Sequence, residues 1–412
     1  MKYALDARVG IVGAGAAGLS AAETLRDRGY TSITILERSE RAGGKCHSIQ
    51  FEGRSYELGA GVISDSSRFV RGLAKKYDVP TKLVDFSARM CVDSETGKPM
   101  KRSASEMRQL GAQVLRYYRL SRKYQTLLEP GFANVAPELS VPFANFAKTH
   151  RIELLAEEFA KYFTGFGYGF FDEVPAAYVL KYYPWDVVFA YFKQTFFKFP
   201  EGIQGLWEAI AKSHQVVYGA NIQTIERGEA ITVTTEKAAF TFDALIIASP
   251  LDEALRYLDA SEEERALFRK IRHYDYRTYG CMVKGFPKMT GYVPGNLNST
   301  RLGRPVFWYQ RYEDSDLYTF YTFGDWKMSD EDTLRHIRHT VEQLGGVLET
   351  LHVAERWKYF PHVSPDDMQD GYFDKLEAMQ GENHTYYAGE LLNFSTVAHT
   401  ASYAKKLVER FF

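Results

Sequence analysis

The sequence predicts an α/β protein with three parts: a Rossmann-type domain assembled from discontinuous segments, a mixed β-sheet domain and a mainly helical domain. Three observations predict it. "VGIVGAGAAGLSAAETLRDRGYTSITILE" (9–37) runs strand, glycine turn, helix, strand, acid. The stretch 220–250 ends in a short apolar strand and 385–394 opens with one, both able to rejoin that unit. Between them, 266–364 carries aromatic strand-like runs and one helix. With 412 residues the chain is also too long for a single core.

The N-terminal unit comes first. Gly13, Gly15 and Gly18 form GxGxxG between an apolar strand at 8–12 and an Ala/Leu helix at 17–27. Gly13 permits the tight turn, Gly15 admits a pyrophosphate close to the backbone, and Gly18 lets helix and strand pack closely. The helix start, with Ala16 and Ala17, offers free N–H groups and positive dipole to phosphates. Glu37, 19 residues beyond Gly18, is placed to accept hydrogen bonds from ribose hydroxyls. The N-terminus therefore reads as a first strand and not as a signal peptide.

After Glu37 come "RSERAGGKCHS" and "YELGAG". This E-R-x(4)-GG-[RK] pattern and Gly-Ala turn resemble the flavin-containing amine oxidoreductase superfamily, whose members hold FAD. The resemblance implies that Arg38, Gly43, Gly44 and Lys45 line the diphosphate and ribityl region, with Lys45 where many relatives have Arg. It puts Gly59, Ala60, Gly61 and Val62 near the isoalloxazine and the Ile222 backbone near the adenine. Gly389 and Glu390 of "YYAGELLNF" would stand beside the ribityl chain. The helix from about Val397, preceded by Thr396, would aim its N-terminus at the flavin's pyrimidine end, where positive dipole favours negative charge. No second GxGxxG with strand–helix context follows, so no separate NAD(P)H domain is expected.

The rest of the chain divides accordingly. The FAD-binding domain takes 1–70, 200–265 and 365–412. A mainly helical domain with an aromatic pocket wall takes 71–199, and a β-rich substrate domain takes 266–364. The segment 66–128 reads as helical. Within it, seven basic residues oppose one acid between Lys101 and Lys123. That is a solvated face, or a surface that rests on anionic lipid or attracts an anionic substrate. A net charge of −1 gives no reason to expect a nucleic-acid partner. Three scattered cysteines fit a reducing, cytoplasmic setting. His336 and His339 lack a third ligand nearby, so no metal site is expected.

"YFTGFGYGFF" (162–171) holds six aromatics and three glycines and no ionisable group other than tyrosine. It reads as core or as the wall of an apolar pocket. The blocks "FTGFGYGFFDEVPAAYVLKYY", "YFPHVSPDD", "EAMQG" and "YYAGEL" resemble the bacterial polyunsaturated fatty acid isomerases, from about residue 8 to 412. That resemblance implies a free polyunsaturated fatty acid such as linoleic acid as substrate and a conjugated diene as product. It implies hydride transfer to flavin N5 and back at another carbon, with no catalytic side chain. Arg89 would meet the substrate carboxylate, with Tyr191 and neighbouring Phe192 where the family has a gating Phe. Phe163, Phe166 and Tyr168 would line the channel. Two other readings stay open at this point: an oxygen-using oxidase or desaturase of an amine or other apolar substrate, and a lipid carrier without turnover.

Overall fold

Five short strands form the central sheet of the computed structural model, which describes residues 3–84, 89–193 and 195–412, except for the side chain of Phe192. Their order is Thr385–Tyr387, Ala244–Ile247, Val9–Val12, Ile33–Leu36, Gln215–Val217, and every pairing is parallel. Val9–Val12 and Ala244–Ile247 are buried throughout, as strands covered on both faces must be, and so read as unbroken apolar runs. The helix Ala16–Asp27 packs against the C-terminal helix Val397–Phe411, joining the two ends of the chain. A three-stranded antiparallel sheet (Ile222–Arg227, Ile231–Thr235, Ala239–Phe242) is appended.

The second large sheet has six strands, in the order Val347–His362, Arg272–Lys284, Leu317–Gly324, Pro305–Gln310, Thr290–Tyr292, Arg89–Cys91. Its pairings are antiparallel except the last. Strand alternation sorts the aromatic residues into two sets. Trp308, Tyr318 and Phe320 turn to one face and pack with Ile337 and Val341 of the helix Asp330–Gln343. Phe307, Tyr321, Tyr276 and Tyr359 turn to the other, where Phe307 stacks on Tyr321 with centroids 4.1 Å apart. Both faces of this sheet are covered, which accounts for much of the chain's aromatic excess.

The segment read as helical is only partly so. Arg68–Lys76 and Ala104–Lys123 are helices, but Lys82–Leu83 and Arg89–Cys91 are strands. Two- and three-residue strands carry no detectable period, and Arg89–Cys91 exists because the edge strand Thr290–Tyr292 offers it a parallel partner. Ser103 and Glu106 form a reciprocal capping box that starts the long helix, as Ser261 and Glu264 do for the helix Glu262–Phe268.

Candidate active site

Two adjoining cavities occupy the space between the sheets. The first, about 700 Å³, lies over the N-terminal turn. Gly13 turns with φ +102°, a conformation that glycine alone takes without strain. A Cβ on Gly18 would lie 1.9 Å from the Gly13 carbonyl, so only glycine lets helix and turn meet. At Gly15 a Cβ would meet nothing nearer than the Gly44 Cα at 3.9 Å, which leaves space above the backbone for a ligand. The helix Ala16–Asp27 has no acid in its first turn, so its N–H groups and dipole stand ready for an anion.

Of the residues expected at FAD, Gly13, Gly15, Ala16, Ala17, Glu37, Arg38, Gly43, Gly44, Lys45, Ala60, Ile222, Gly389, Glu390 and Val397 line this cleft. Glu37 is fixed by the Ala14 N–H (2.7 Å) and the Ser39 N–H (2.8 Å), leaving each carboxylate oxygen a further lone pair. Lys45 pairs with Glu390 at 2.9 Å, a point charge where an arginine would offer a fork. Ser395, which the sequence reading missed, lines the cleft with a buried hydroxyl that has no partner in the protein. Its unmet hydrogen bond, the open cradle at Gly15 and the Glu37 carboxylate together fit a dinucleotide of the FAD type.

The second cavity, about 440 Å³, is aromatic. Gly59, Gly61, Val62 and Thr396 line it. Ala60, Trp357, Tyr359 and Val397 line both cavities, marking where they meet. Trp357 and Tyr359, two apart on the strand Val347–His362, were legible as an alternating aromatic pair in "ERWKYF" but were not singled out. Thr396 caps the helix Val397–Phe411, accepting from the His399 N–H. Burial holds the His399 imidazole down at about 3, so it stays neutral beside the cavity.

"YFTGFGYGFF" follows the helix Glu153–Ala160 as a glycine-rich turn. Gly167 has φ +90°, and a Cβ there would strike the Tyr359 ring at 2.8 Å. The turn is thus pressed onto the sheet by its glycines. Tyr162, Phe166 and Tyr168 line the cavity. Phe163 does not. It is fully buried behind them, its ring against Tyr168, Phe171, Tyr182, Phe360 and Phe394. The expectation of a channel contact is corrected to a packing one, because the turn sends successive rings to opposite sides.

Arg89 lines the cavity and donates from Nη1 to the Tyr162 hydroxyl at 2.8 Å. Tyr162 in turn packs on Tyr191, centroids 4.6 Å apart. Tyr191 therefore reaches Arg89 through Tyr162, which only its place in the aromatic run could have marked. The side chain of Phe192 lies outside the described residues. Although the aromatic segment lacks acids and bases, other walls supply Glu57, Asp186, Arg311 and His399. Glu57 is pinned by Ser48, by the Ile203 N–H and by Arg311 at 3.4 Å, and burial pushes its carboxyl up.

Behind the site, Lys181 donates to the carbonyls of Glu129 (2.8 Å) and Gly131 (2.5 Å), and its ammonium lies 4.5 Å from the Phe132 centroid. Burial, with Lys406 adding to it, pushes that ammonium down to about 7 from 10.5. A lowered folded pKa means stability is full above 10.5 and is lost as pH falls toward about 7. Urea unfolding of wild type and Lys181→Met should therefore diverge with pH. Between pH 7 and 9 the difference should move by roughly 2 kcal/mol in favour of wild type at the higher pH. A constant difference would mean that Lys181 stays charged throughout.

Residues 16–401 match the family described as flavin containing amine oxidoreductase. The crystal structure of a CLA-producing fatty acid isomerase from P. acnes superposes with a TM-score of 0.95 and 32% identity, covering 100% of both chains. A polyenoic fatty acid isomerase of Ptilota filicina is 22% identical over 45% of this chain and 42% of its own. An FAD-dependent oxidoreductase of Apiospora sacchari is 24% identical over 92% and 87%. Putrescine oxidase, with a TM-score of 0.74 at 14% identity, shares the fold. The cofactor is FAD, and the chain belongs to the flavin-containing amine oxidoreductases, in their branch of fatty acid isomerases.

Proposed function

We propose that the protein is a redox-neutral double-bond isomerase of free polyunsaturated fatty acids, converting linoleic acid to a conjugated diene. The observation that carries this reading is the aromatic cavity of about 440 Å³, which meets the FAD cleft at Ala60, Trp357, Tyr359 and Val397 and has Arg89 on its wall. Its volume lies within the range of about 300–1,000 Å³ of small-molecule sites. The full-length likeness to a fatty acid isomerase supports the substrate class.

FAD, when bound, supplies hydride acceptance and return. The residues do the rest. Arg89, steadied by the Tyr162 hydroxyl, holds the carboxylate. The rings of Tyr168, Phe307, Tyr321 and Tyr359 exclude water from the unsaturated chain, and their faces stabilise positive charge on it. Burial raises the phenol pKa values of Tyr168, Tyr276 and Tyr359, so these walls stay neutral across the physiological range. The N-terminus of Val397–Phe411 presents its dipole where the two cavities meet and favours negative charge there.

The test is direct. Incubated with linoleic acid, the FAD-loaded protein should raise the ultraviolet absorbance of conjugated dienes at equal rates with and without oxygen. Peroxide release with no diene would make it an oxidase and end this reading.

A further inference from the structure

The helix Ala104–Lys123 is 20 residues long, and Tyr117 is its one fully buried residue. At 100° per residue Met107, Arg108, Gly111, Leu115, Arg119 and Arg122 fall within one arc about 120° wide. Met107 is 55% and Leu115 63% exposed. Between them, a Cβ on Gly111 would meet nothing within 4 Å. The face thus mixes apolar and basic side chains, with Met107 at one edge, Arg122 near the middle beside Gly111 and Leu115, and Arg108 and Arg119 toward the other edge. Its cations differ in their engagements. Arg102 is tied to Glu157 and Glu158, and Lys123 to Glu138. Arg108 reaches only its own helix at the Ala104 carbonyl, and Arg122 the Tyr118 hydroxyl. Among the described residues Arg108, Arg119 and Arg122 have no carboxylate partner.

The helix is also tied to the segment that walls the aromatic cavity. Tyr118 packs edge-on against Trp185 at 4.7 Å, and the Tyr117 hydroxyl donates to the Tyr183 carbonyl. The helix Trp185–Lys193, which begins there, contributes Asp186, Val187 and Tyr191 to the cavity wall and exposes Phe189. Leaving the basic helix, the chain passes through Gln125–Leu128, and Leu128 is both 53% exposed and part of the cavity lining. Exposed apolar side chains thus stand both on the basic helix and on the segments that reach the cavity.

We propose that this face docks on an anionic lipid bilayer. Arg108, Arg119 and Arg122 lie against the headgroups, while Met107, Leu115, Leu128 and Phe189 enter the acyl boundary. A fatty acid then passes from the membrane into the cavity without crossing bulk water. This use of the face rests on the reading of the cavity as a fatty-acid site. A second copy of the chain is a poorer occupant, because a two-fold contact through this helix would set its arginines against one another.

Vesicle sedimentation of the FAD-loaded, full-length protein tests it. Partition should be strong into phosphatidylcholine vesicles containing 30% phosphatidylglycerol, weak into pure phosphatidylcholine, and should fall with added salt. The triple variant Arg108→Glu, Arg119→Glu, Arg122→Glu should lose about 100-fold in partition while keeping wild-type turnover of monomeric linoleic acid. Leu115→Ser should lose less. Equal partition into both vesicles, or a triple variant that partitions like wild type, overturns the proposal. So does ultracentrifugation showing a dimer that Leu115→Arg dissolves. Partition is measured without turnover, so a protein that binds vesicles but makes no diene would fail the isomerase reading alone.

Discussion

Arg89→Ala should lower kcat/KM for a free fatty acid by about 30- to 150-fold and leave the methyl ester's value nearly unchanged. The magnitude is that of a charge-assisted hydrogen bond, about 2–3 kcal/mol. The loss should fall on KM, because a carboxylate far from the reacting carbons is held equally before and during the reaction. Tyr162→Phe keeps the ring packed on Tyr191 and removes only the 2.8 Å hydrogen bond to Arg89, so its effect should be smaller, about 5- to 10-fold. Steady-state rates on acid and ester with each variant decide the matter. If acid and ester suffer alike in Arg89→Ala, the guanidinium shapes the cavity and does not anchor the carboxylate.

Gly18→Val should give a colourless protein. A Cβ at this position lies 1.9 Å from the Gly13 carbonyl oxygen, a backbone atom that cannot swing aside as the tip of a side chain can. Helix and turn must separate, which costs about 1–3 kcal/mol or more in packing and moves the N–H groups that face the phosphates. FAD retention after purification, read from flavin absorbance, should fall by at least about 100-fold. Gly111→Ala is the control. Its Cβ meets open space on an exposed helix, so it should keep its colour and gain about 0.4–1 kcal/mol. A yellow Gly18→Val protein of normal stability would show that the close approach is dispensable.

The N-terminal unit was readable because each of its parts has a local cause. Gly13 and Gly18 are needed for a turn and a contact a few residues away, and Val9–Val12 is apolar because both its faces are covered. The parallel strands that close the sheet were readable for the same reason. The helical part was harder. Arg89–Cys91 is a strand only because Thr290–Tyr292, two hundred residues on, offers an edge, and no window around Arg89 contains that information. The aromatic wall was legible as a wall but not residue by residue. Phe163 and Phe166 are three apart in one turn, and which of them faces the cavity depends on where Tyr359 presses on Gly167. Tyr162 escaped notice because its role is set by a hydrogen bond to a distant strand. Ser395 did too, as one hydroxyl in a loop of unremarked composition.

Ala60, Trp357, Tyr359 and Val397 border both cavities, so on the proposed function an isoalloxazine seated among them would be a wall of the substrate chamber as well as a reagent. Assembly then has a direction. A fatty acid entering a chain not yet loaded with FAD meets a chamber with one side missing, and its tail has the cofactor's place to spill into. On the proposed function, loading would run cofactor first, substrate second. Wherever flavin is scarce and free lipid abundant, fatty acid would compete with the formation of the holoenzyme itself.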